Sequence, residues 1–352
     1  MSTVPQRLDQ RRYSKRRFDQ DFIDLNGKAV MVTGGTGSFG RQFIRTVLER
    51  YKPRRLIVFS RDELKQYEMA QELSVEAFPS IRYFIGDVRD VDRLELSMRG
   101  VDYVVHAAAL KHVPTAEYNP FECIKTNVNG AENVVTAAIR SNVKKVLALS
   151  TDKAANPTNL YGASKLASDK IFIAANNLSG AGGCSFSVVR YGNVLGSRGS
   201  VVPYFKRLID EGAIDLPVTD PRMTRFWITL QQGVNFVLSS LGIMGGGEIF
   251  VPKIPSMKLV ELATCMAPSL PHRMVGIRPG EKLHEVMVPE DDARATVELS
   301  DRFVILPGFT DRPRKEWISR GAEPVAQGFR YASDNNPEWL SNADLTALIK
   351  DP

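Results

Sequence analysis

Proton-moving residue types gather in two short runs of this chain, Ser150-Thr151-Asp152-Lys153-Ala154 and Tyr161-Gly162-Ala163-Ser164-Lys165. Tyr161 and Lys165 stand four positions apart, so a helix puts them on one face. An ammonium beside a phenol lowers the phenol's pKa, and such a phenol can exchange a proton with a hydroxyl while hydride moves to or from a nicotinamide. The same spacing also describes an exposed Tyr–Lys helix pair; its place at a strand-loop-helix junction is what gives it chemical weight.

A second constellation lies nearer the N-terminus. Residues 28–33 (KAVMVT) read as a buried strand running into Gly34-Gly35-Thr36-Gly37-Ser38-Phe39-Gly40. Small residues let backbone approach a pyrophosphate, and the helix that follows offers free N–H groups and a positive dipole end. The spacing is GxxGxxG (Gly34, Gly37, Gly40), one residue longer than the common dinucleotide fingerprint. Ser60-Arg61 closes the next strand, with Lys65 one turn further on. An acid at that point bonds the ribose 2′-OH of NAD, whereas a guanidinium matches a 2′-phosphate. Arg61 therefore predicts NADP, and Asp62 is the counter-argument for NAD. Ser60-Arg61-Asp62-Glu63 also reads as a capping box through Ser60 and Glu63, which leaves Arg61 free.

The elements that must carry these residues follow from the apolar patterning. Strands are predicted at 28–33, 55–60, 81–86, 101–106, 145–150 and 185–191. Helices are predicted at about 38–50, 62–75, 120–141 and 160–175. That alternation is an α/β, doubly wound, Rossmann-type parallel sheet. Beyond about residue 193 prolines and glycines break the rhythm, which predicts a smaller C-terminal substrate domain. The expected organisation is a basic arm at 1–26 and a cofactor domain at 27–192, joined by 226–252. The substrate domain is expected at 193–225 and 253–352. A helix at 229–241 and a strand at 248–251 are expected to return to the main sheet.

The motifs GGTGSFG, SRDELK, AALKHVP, STDKAANPTNLYGASK, VRYGNVLGSRGS, MTRFWIT and RPGEKLHE together resemble the extended short-chain dehydrogenase/reductase family. Within it they look most like the UDP-N-acetylglucosamine 4,6-dehydratases that invert C5 in pseudaminic acid biosynthesis. The resemblance runs from about residue 27 to the C-terminus and leaves the basic arm outside. Membrane-anchored relatives carry methionine where this chain has Tyr161, so the resemblance points to the soluble branch.

The resemblance implies a bound NADP reused at each turnover. Hydride leaves sugar C4, the resulting ketone acidifies C5–H, the C6 hydroxyl departs as water, and the same hydride returns to C6. By match to the family motifs, Tyr161 is the acid/base of the oxidation, supported by Lys165. Asp152 protonates the departing hydroxyl and Lys153 removes the C5 proton. Retaining relatives have Asp-Glu at these positions, so Lys153 replaces a carboxylate base. A free lysine, with a pKa of about 10.4, is a poor base at neutral pH. Burial, Lys165 and the positive nicotinamide ring lower it and Asp152 raises it, and sequence leaves that sum open; a plain ion pair is the alternative reading. C5 is reprotonated from the opposite face, and Tyr161 is one group that could return that proton. Gly34, Thr36, Gly37, Ser38, Phe39, Gly40, Ser60, Arg61, Lys65, Asp87, Val88, Ala107, Lys111 and Asn127 match cofactor positions, beside Tyr161 and Lys165. Lys111, Thr151, Asn193, Arg225 and Arg278 match sugar-nucleotide positions, the arginines suiting a diphosphate.

Composition narrows the remaining classes. The chain has 352 residues, 43% hydrophobic and 24% charged, ordinary for a globular protein and incompatible with a disordered or collagenous one. Of the net charge of +6, Arg7, Arg11, Arg12, Lys15, Arg16 and Arg17 against Asp9 and Asp19 place +4 in the first twenty residues. That concentration reads as a solvated or oligomer arm, and no nucleic-acid module is visible elsewhere. No apolar run is long enough to span a membrane, and no secretory signal is seen. Cys123, Cys184 and Cys265 form neither a disulfide frame nor a zinc site, which predicts a reducing cytoplasm. His106, His112, His272 and His284 lack metal-ligand spacing, so no metal is expected. A homo-oligomer, dimer or hexamer, is expected through the helices around 120–140 and 161–175. A nucleotide-sugar 4-epimerase on the same scaffold and a non-catalytic NADP/sugar-binding module are the rival readings.

Overall fold

The computed structural model describes residues 11–12, 15–180, 182–308 and 312–350. Arg7 and Asp9 of the predicted basic arm lie outside the described residues.

Alternating apolar runs and amphipathic stretches produce the predicted winding. Strands β1 (Ala29–Thr33), β2 (Arg55–Ser60), β3 (Ile81–Ile85), β4 (Tyr103–His106), β5 (Lys145–Thr151) and β6 (Ser185–Tyr191) pair in parallel in the order 3-2-1-4-5-6. All five residues of β1 are buried, as a parallel sheet covered by helices on both faces requires. The covering helices include α1 (Ser38–Arg50), α2 (Glu63–Glu72) and α3 (Val91–Met98). After β7 (Thr224–Ile228) and a later helix, β8 (Ile249–Pro252) returns to the sheet parallel to β6. Residues 296–324 then add three antiparallel strands, β9 (Thr296–Glu298), β10 (Arg302–Ile305) and β11 (Glu323–Pro324), so ten described strands share this sheet. Sequence patterning missed these three strands because each is short and lies among loop residues. A separate, smaller apolar cluster gathers Leu195, Phe205, Trp227, Met257, Leu262 and Leu345 beyond the sheet.

Three local differences from expectation matter for the site. After α4 (Val113–Tyr118), the single helix predicted at 120–141 is built as α5 (Pro120–Ile124), a π-helical turn at Lys125–Asn129, and α6 (Gly130–Arg140). Such turns let a side chain leave the helical ladder, and here it is Asn127 that does so. At α2 the cap is Asp62, whose carboxylate accepts from the Lys65 N–H at 3.0 Å, not Ser60. Ser60 is two residues too early; its hydroxyl pairs with Thr36 Oγ1 at 2.8 Å instead. The expected solvated arm is also anchored at its C-terminal part. Phe18 is buried edge-on against Phe236, Gln232 and Asn235 donate to the carbonyls of Arg16 and Arg17, and Arg16 forms a bidentate pair with Glu338. Burying one phenylalanine contributes on the order of 2 kcal/mol, enough to hold so short a segment.

Candidate active site

The loops at the C-terminal ends of β1, β2, β4, β5 and β6 meet the smaller cluster across one cavity of about 1220 Å³. That place is where an open α/β sheet binds ligands, at the point where strand order reverses. The volume exceeds the usual range for a single drug-sized ligand and leaves room for a dinucleotide and a sugar nucleotide together.

At one end the chain Gly34–Gly40 turns from β1 into α1. Gly34 has φ +66°, and a Cβ there would come within 2.9 Å of Ala108 N, so only glycine lets the turn lie against the β4 loop. Gly37 caps α1 with no side-chain hydrogen bond, so the first-turn N–H groups of the helix carry no side-chain acceptor. A helix N-terminus of that kind suits a diphosphate. Thr36, Ser38, Phe39 and Gly40 line the same end, and Ser38 Oγ accepts from the Arg198 N–H at 3.3 Å. Ser60, Arg61, Lys65, Asp87, Val88, Ala107 and Lys111 continue the wall. Arg61 keeps 56% of its side-chain surface exposed and lies 3.9 Å from Asp87. Lys65 pairs with Asp62. Burial pushes the Asp87 carboxyl up, but hydrogen bonds from Arg89 outweigh it and hold the group below the usual carboxylate range.

Asn127 departs from its predicted place. It is buried outside the cavity lining; its amide brackets Leu110, accepting from N at 2.8 Å and donating to O at 3.0 Å, and donates to Ser164 Oγ at 2.9 Å. With its polar atoms so engaged, Asn127 holds the 107–111 loop.

The other end is the acid/base centre. α7 (Leu160–Ser179) begins on an Asn159 cap and carries Tyr161 and Lys165, both buried. A Cβ at Gly162 would sit 2.3 Å from the Lys153 carbonyl oxygen, so glycine is what lets α7 pack onto the 152–154 turn. Burial pushes the Tyr161 phenol up to about 12, opposed by the Lys153 charge and a hydrogen bond with Thr151. The Lys153 charge thus acts on the phenol, and Lys165, expected there from the YxxxK spacing, lies one turn further along the same helix. Lys165 instead donates to the Leu149 carbonyl at 2.6 Å; burial lowers its pKa, and Asp169 opposes that. Asp169, which sequence reasoning missed, also accepts from Ser150 Oγ at 2.9 Å and from Arg190 at 3.2 Å.

Lys153 lines the cavity with Nζ 3.0 Å from Asp152 Oδ1 and 3.2 Å from Glu285 Oε1. Burial lowers its pKa, but Asp152 and then Glu285 outweigh that, and the ammonium is held above the ordinary lysine range. Asp152 is fully buried and stands behind Lys153, outside the cavity lining. Its Oδ1 accepts from Thr151 at 2.9 Å, its Oδ2 has no hydrogen-bond partner, and burial raises its pKa. Asn193 lines the cavity from a two-residue strand paired to Trp227–Ile228. Arg225 lines it too, but its guanidinium donates to the carbonyls of Thr224, Lys282 and Leu283, which pins the 282–285 segment. Arg278 keeps 60% of its side chain exposed, leaving it the arginine available to a diphosphate. Glu285 ends the RPGEKLHE run and had no local signal to single it out: its importance depends on Lys153, distant in sequence.

A family model for polysaccharide biosynthesis proteins matches residues 30–307. The chain belongs to that family. As a polysaccharide biosynthesis protein it is an extended short-chain dehydrogenase/reductase, with the Rossmann-type sheet described above. It is 58% identical, over 92% of its length and 98% of the relative's, to a UDP-N-acetylglucosamine 4,6-dehydratase (inverting) of Campylobacter jejuni. Among solved structures it is similar to Pen from Bacillus thuringiensis, with TM-score 0.85 and 36% identity over 94% of this chain and 99% of that one. It is also similar to DesIV, the dTDP-glucose 4,6-dehydratase of Streptomyces venezuelae solved with NAD and TYD bound, with TM-score 0.64 and 26% identity over 72% of this chain and 86% of that one. No helix among the described residues is long and apolar enough to cross a membrane, and no His/Cys/Asp/Glu group among them could hold a metal ion.

Proposed function

We propose that this protein is a hydro-lyase that converts UDP-N-acetylglucosamine to a UDP-4-keto-6-deoxy-hexosamine with inversion at C5, using a bound NADP that is regenerated within each turnover. The observation that carries this reading is the placement of Tyr161 and Lys153 together in the cavity wall, with Asp152 paired to Lys153 from behind, where the dinucleotide end of the cavity meets its arginine-bearing end. The 58% identity to the Campylobacter enzyme points to the same substrate and stereochemistry.

A bound nicotinamide supplies a hydride acceptor for C4 and donor for C6. The uncapped α1 terminus and the Cβ-free turn at Gly34 fit its diphosphate. Arg61 supports NADP over NAD because Asp62, the acid that could serve a ribose hydroxyl, is engaged by the Lys65 N–H and ammonium. Tyr161 takes the C4 hydroxyl proton as the ketone forms, and Lys165 supports it through the shared α7 face. Asp152 and Lys153 handle the elimination. In the ion pair the proton rests on Lys153; moving it to Asp152, which burial favours, leaves an amine to take the C5 proton and a carboxylic acid to supply the departing hydroxyl. Thr151, Asn193, Lys111 and Arg278 bind the sugar nucleotide. The reading includes a cytoplasmic homo-oligomer, supported by free thiols at all three cysteines and by exposed Tyr118 and Phe121 beside α7. The cofactor domain (27–192 with 226–252) and the substrate segments then close on one another across the cavity.

The test is incubation of the purified protein with UDP-N-acetylglucosamine and mass analysis of the product. Loss of one water is expected. Turnover at unchanged mass would make it a 4-epimerase, and no turnover with retained nucleotide would make it a binding module.

A further inference from the structure

Two carboxylates, not one, hold Lys153. Glu285 is 2% exposed, lines the cavity where Asp152 does not, and approaches the ammonium at 3.2 Å, against 3.0 Å for Asp152. Its other neighbours are cations, Arg225 of β7 at 3.8 Å and Lys282 of its own segment at 3.9 Å. Oε2 has no hydrogen-bond partner although it is buried, an arrangement that costs stability unless the charge serves something.

From this geometry we infer that Glu285 is a positioning residue for Lys153: it holds the ammonium against the cavity wall together with the chain neighbour Asp152, and stabilises the charge that Lys153 acquires on taking a proton. This deepens the proposed function, because the consequence for turnover rests on Lys153 acting as the C5 base. Among the described residues the charged and titratable groups that act on Lys153 are Asp152 on its own turn, Glu285 and Lys282 on the C-terminal segment, Arg225 on β7, and Tyr161 on α7. Burial pushes the Glu285 carboxyl up, but Lys153, Arg225 and Lys282 together hold it ionised, below the usual carboxylate range. A unit charge at about 4 Å in a site of effective dielectric near 20 is worth roughly one to three pH units on its neighbour. Arg225, no longer neutralised, would act on Lys153 in the same downward direction.

The inference is testable without turnover. Competitive acetylation of the full-length protein up to about pH 11, read by peptide mass spectrometry, reports the titration of individual lysines. Lys153 keeps 25% of its side-chain surface exposed and is open to the reagent. In the parent, Lys153 is expected to label at higher pH than exposed Lys206. In Glu285→Gln its midpoint is expected to fall by one unit or more with Lys206 unmoved, and Glu285→Asp is expected to recover part of the shift. With UDP-N-acetylglucosamine, the rising limb of kcat against pH should move down by the same interval in Glu285→Gln while KM changes less than about threefold. A folded Glu285→Gln protein whose Lys153 midpoint equals the parent's overturns the inference. So does a parent in which Lys153 labels with or before Lys206, a result that stands even if the glutamine variant does not fold. Absence of water loss in the parent would sink the proposed reaction, while the labelling series would still decide where Glu285 acts.

Discussion

The two ends of the cavity are made in different ways. The dinucleotide end is centred on one continuous piece of chain, β1, turn and α1, which offers backbone N–H and the missing side chains of glycines, with Arg61 and Asp87 added from the next two strand ends. The acid/base end is assembled from 150–165, β7 and 278–285, and its properties come from opposed charges: Lys153 between Asp152 and Glu285, and Arg225 against carbonyls of the segment it pins. A cradle of backbone is set by local conformation. A poised proton is set by a sum over segments, and each one can change it.

Substitutions sharpen the contrast, because removing a charge or hydroxyl at the assembled end should cost chemistry and leave nucleotide binding intact. The largest effect is expected at Tyr161→Phe, which deletes the oxidation acid/base and should lower kcat by roughly 10³ with bound nucleotide unchanged; activity equal to the parent would remove the role of Tyr161. Lys153→Ala should lower water loss by about 10²-fold while a 4-keto product can still form. This is read from product mass and from loss of C5 deuterium exchange in heavy water, and normal water loss would end the base assignment.

At the continuous end the effects should fall on binding. Arg61→Ala is expected to reduce the preference for NADP over NAD by about tenfold, the worth of one charge-assisted contact of 1 to 2 kcal/mol, measured by the ratio of dissociation constants. A ratio that stays constant would show that Arg61 does not read the 2′ position. The smallest expected effect is on stability. His106, at the end of β4, is buried with Nδ1 2.8 Å from Thr33 Oγ1, and burial, aided by Lys165, lowers its pKa to about 3 from 6.5. The unfolded chain therefore binds a proton at higher pH than the folded one. The stability contribution is complete above pH 6.5 and is lost as pH falls from there towards 3. Melting temperature should decline across that window, and His106→Asn should flatten the decline; a parallel decline in the variant would assign it to other groups.

The same contrast explains what the sequence made legible. The six parallel strands and the turn at Gly34–Gly40 were readable because each strand, glycine and helix start is a local pattern, whereas the order 3-2-1-4-5-6 came with the structure. Asp152, Lys153, Tyr161 and Lys165 were readable as residue types, but which cation acts on the phenol was not, since the 3₁₀ turn at Asp152–Ala154 presents Lys153 there while Lys165 turns to the Leu149 carbonyl. Asn127 was assigned to the cofactor by resemblance alone; the π-turn in its helix, where its amide meets Leu110, has no signature in the sequence. Glu285 and Asp169 gained meaning only from partners more than one segment away, or from burial. The cap at Asp62 was misread by two residues, within what a Ser-Arg-Asp-Glu run permits.

The central claim is that hydride leaves C4 and returns to C6 of the same sugar while Lys153 and Asp152 remove water between the two events. Its most direct test is turnover of UDP-N-acetylglucosamine deuterated at C4, followed by proton NMR of the product. Deuterium in a new C6 methyl group, with C5 inverted, is predicted. A methyl group free of the label, or a product that retains its C6 hydroxyl, would contradict it.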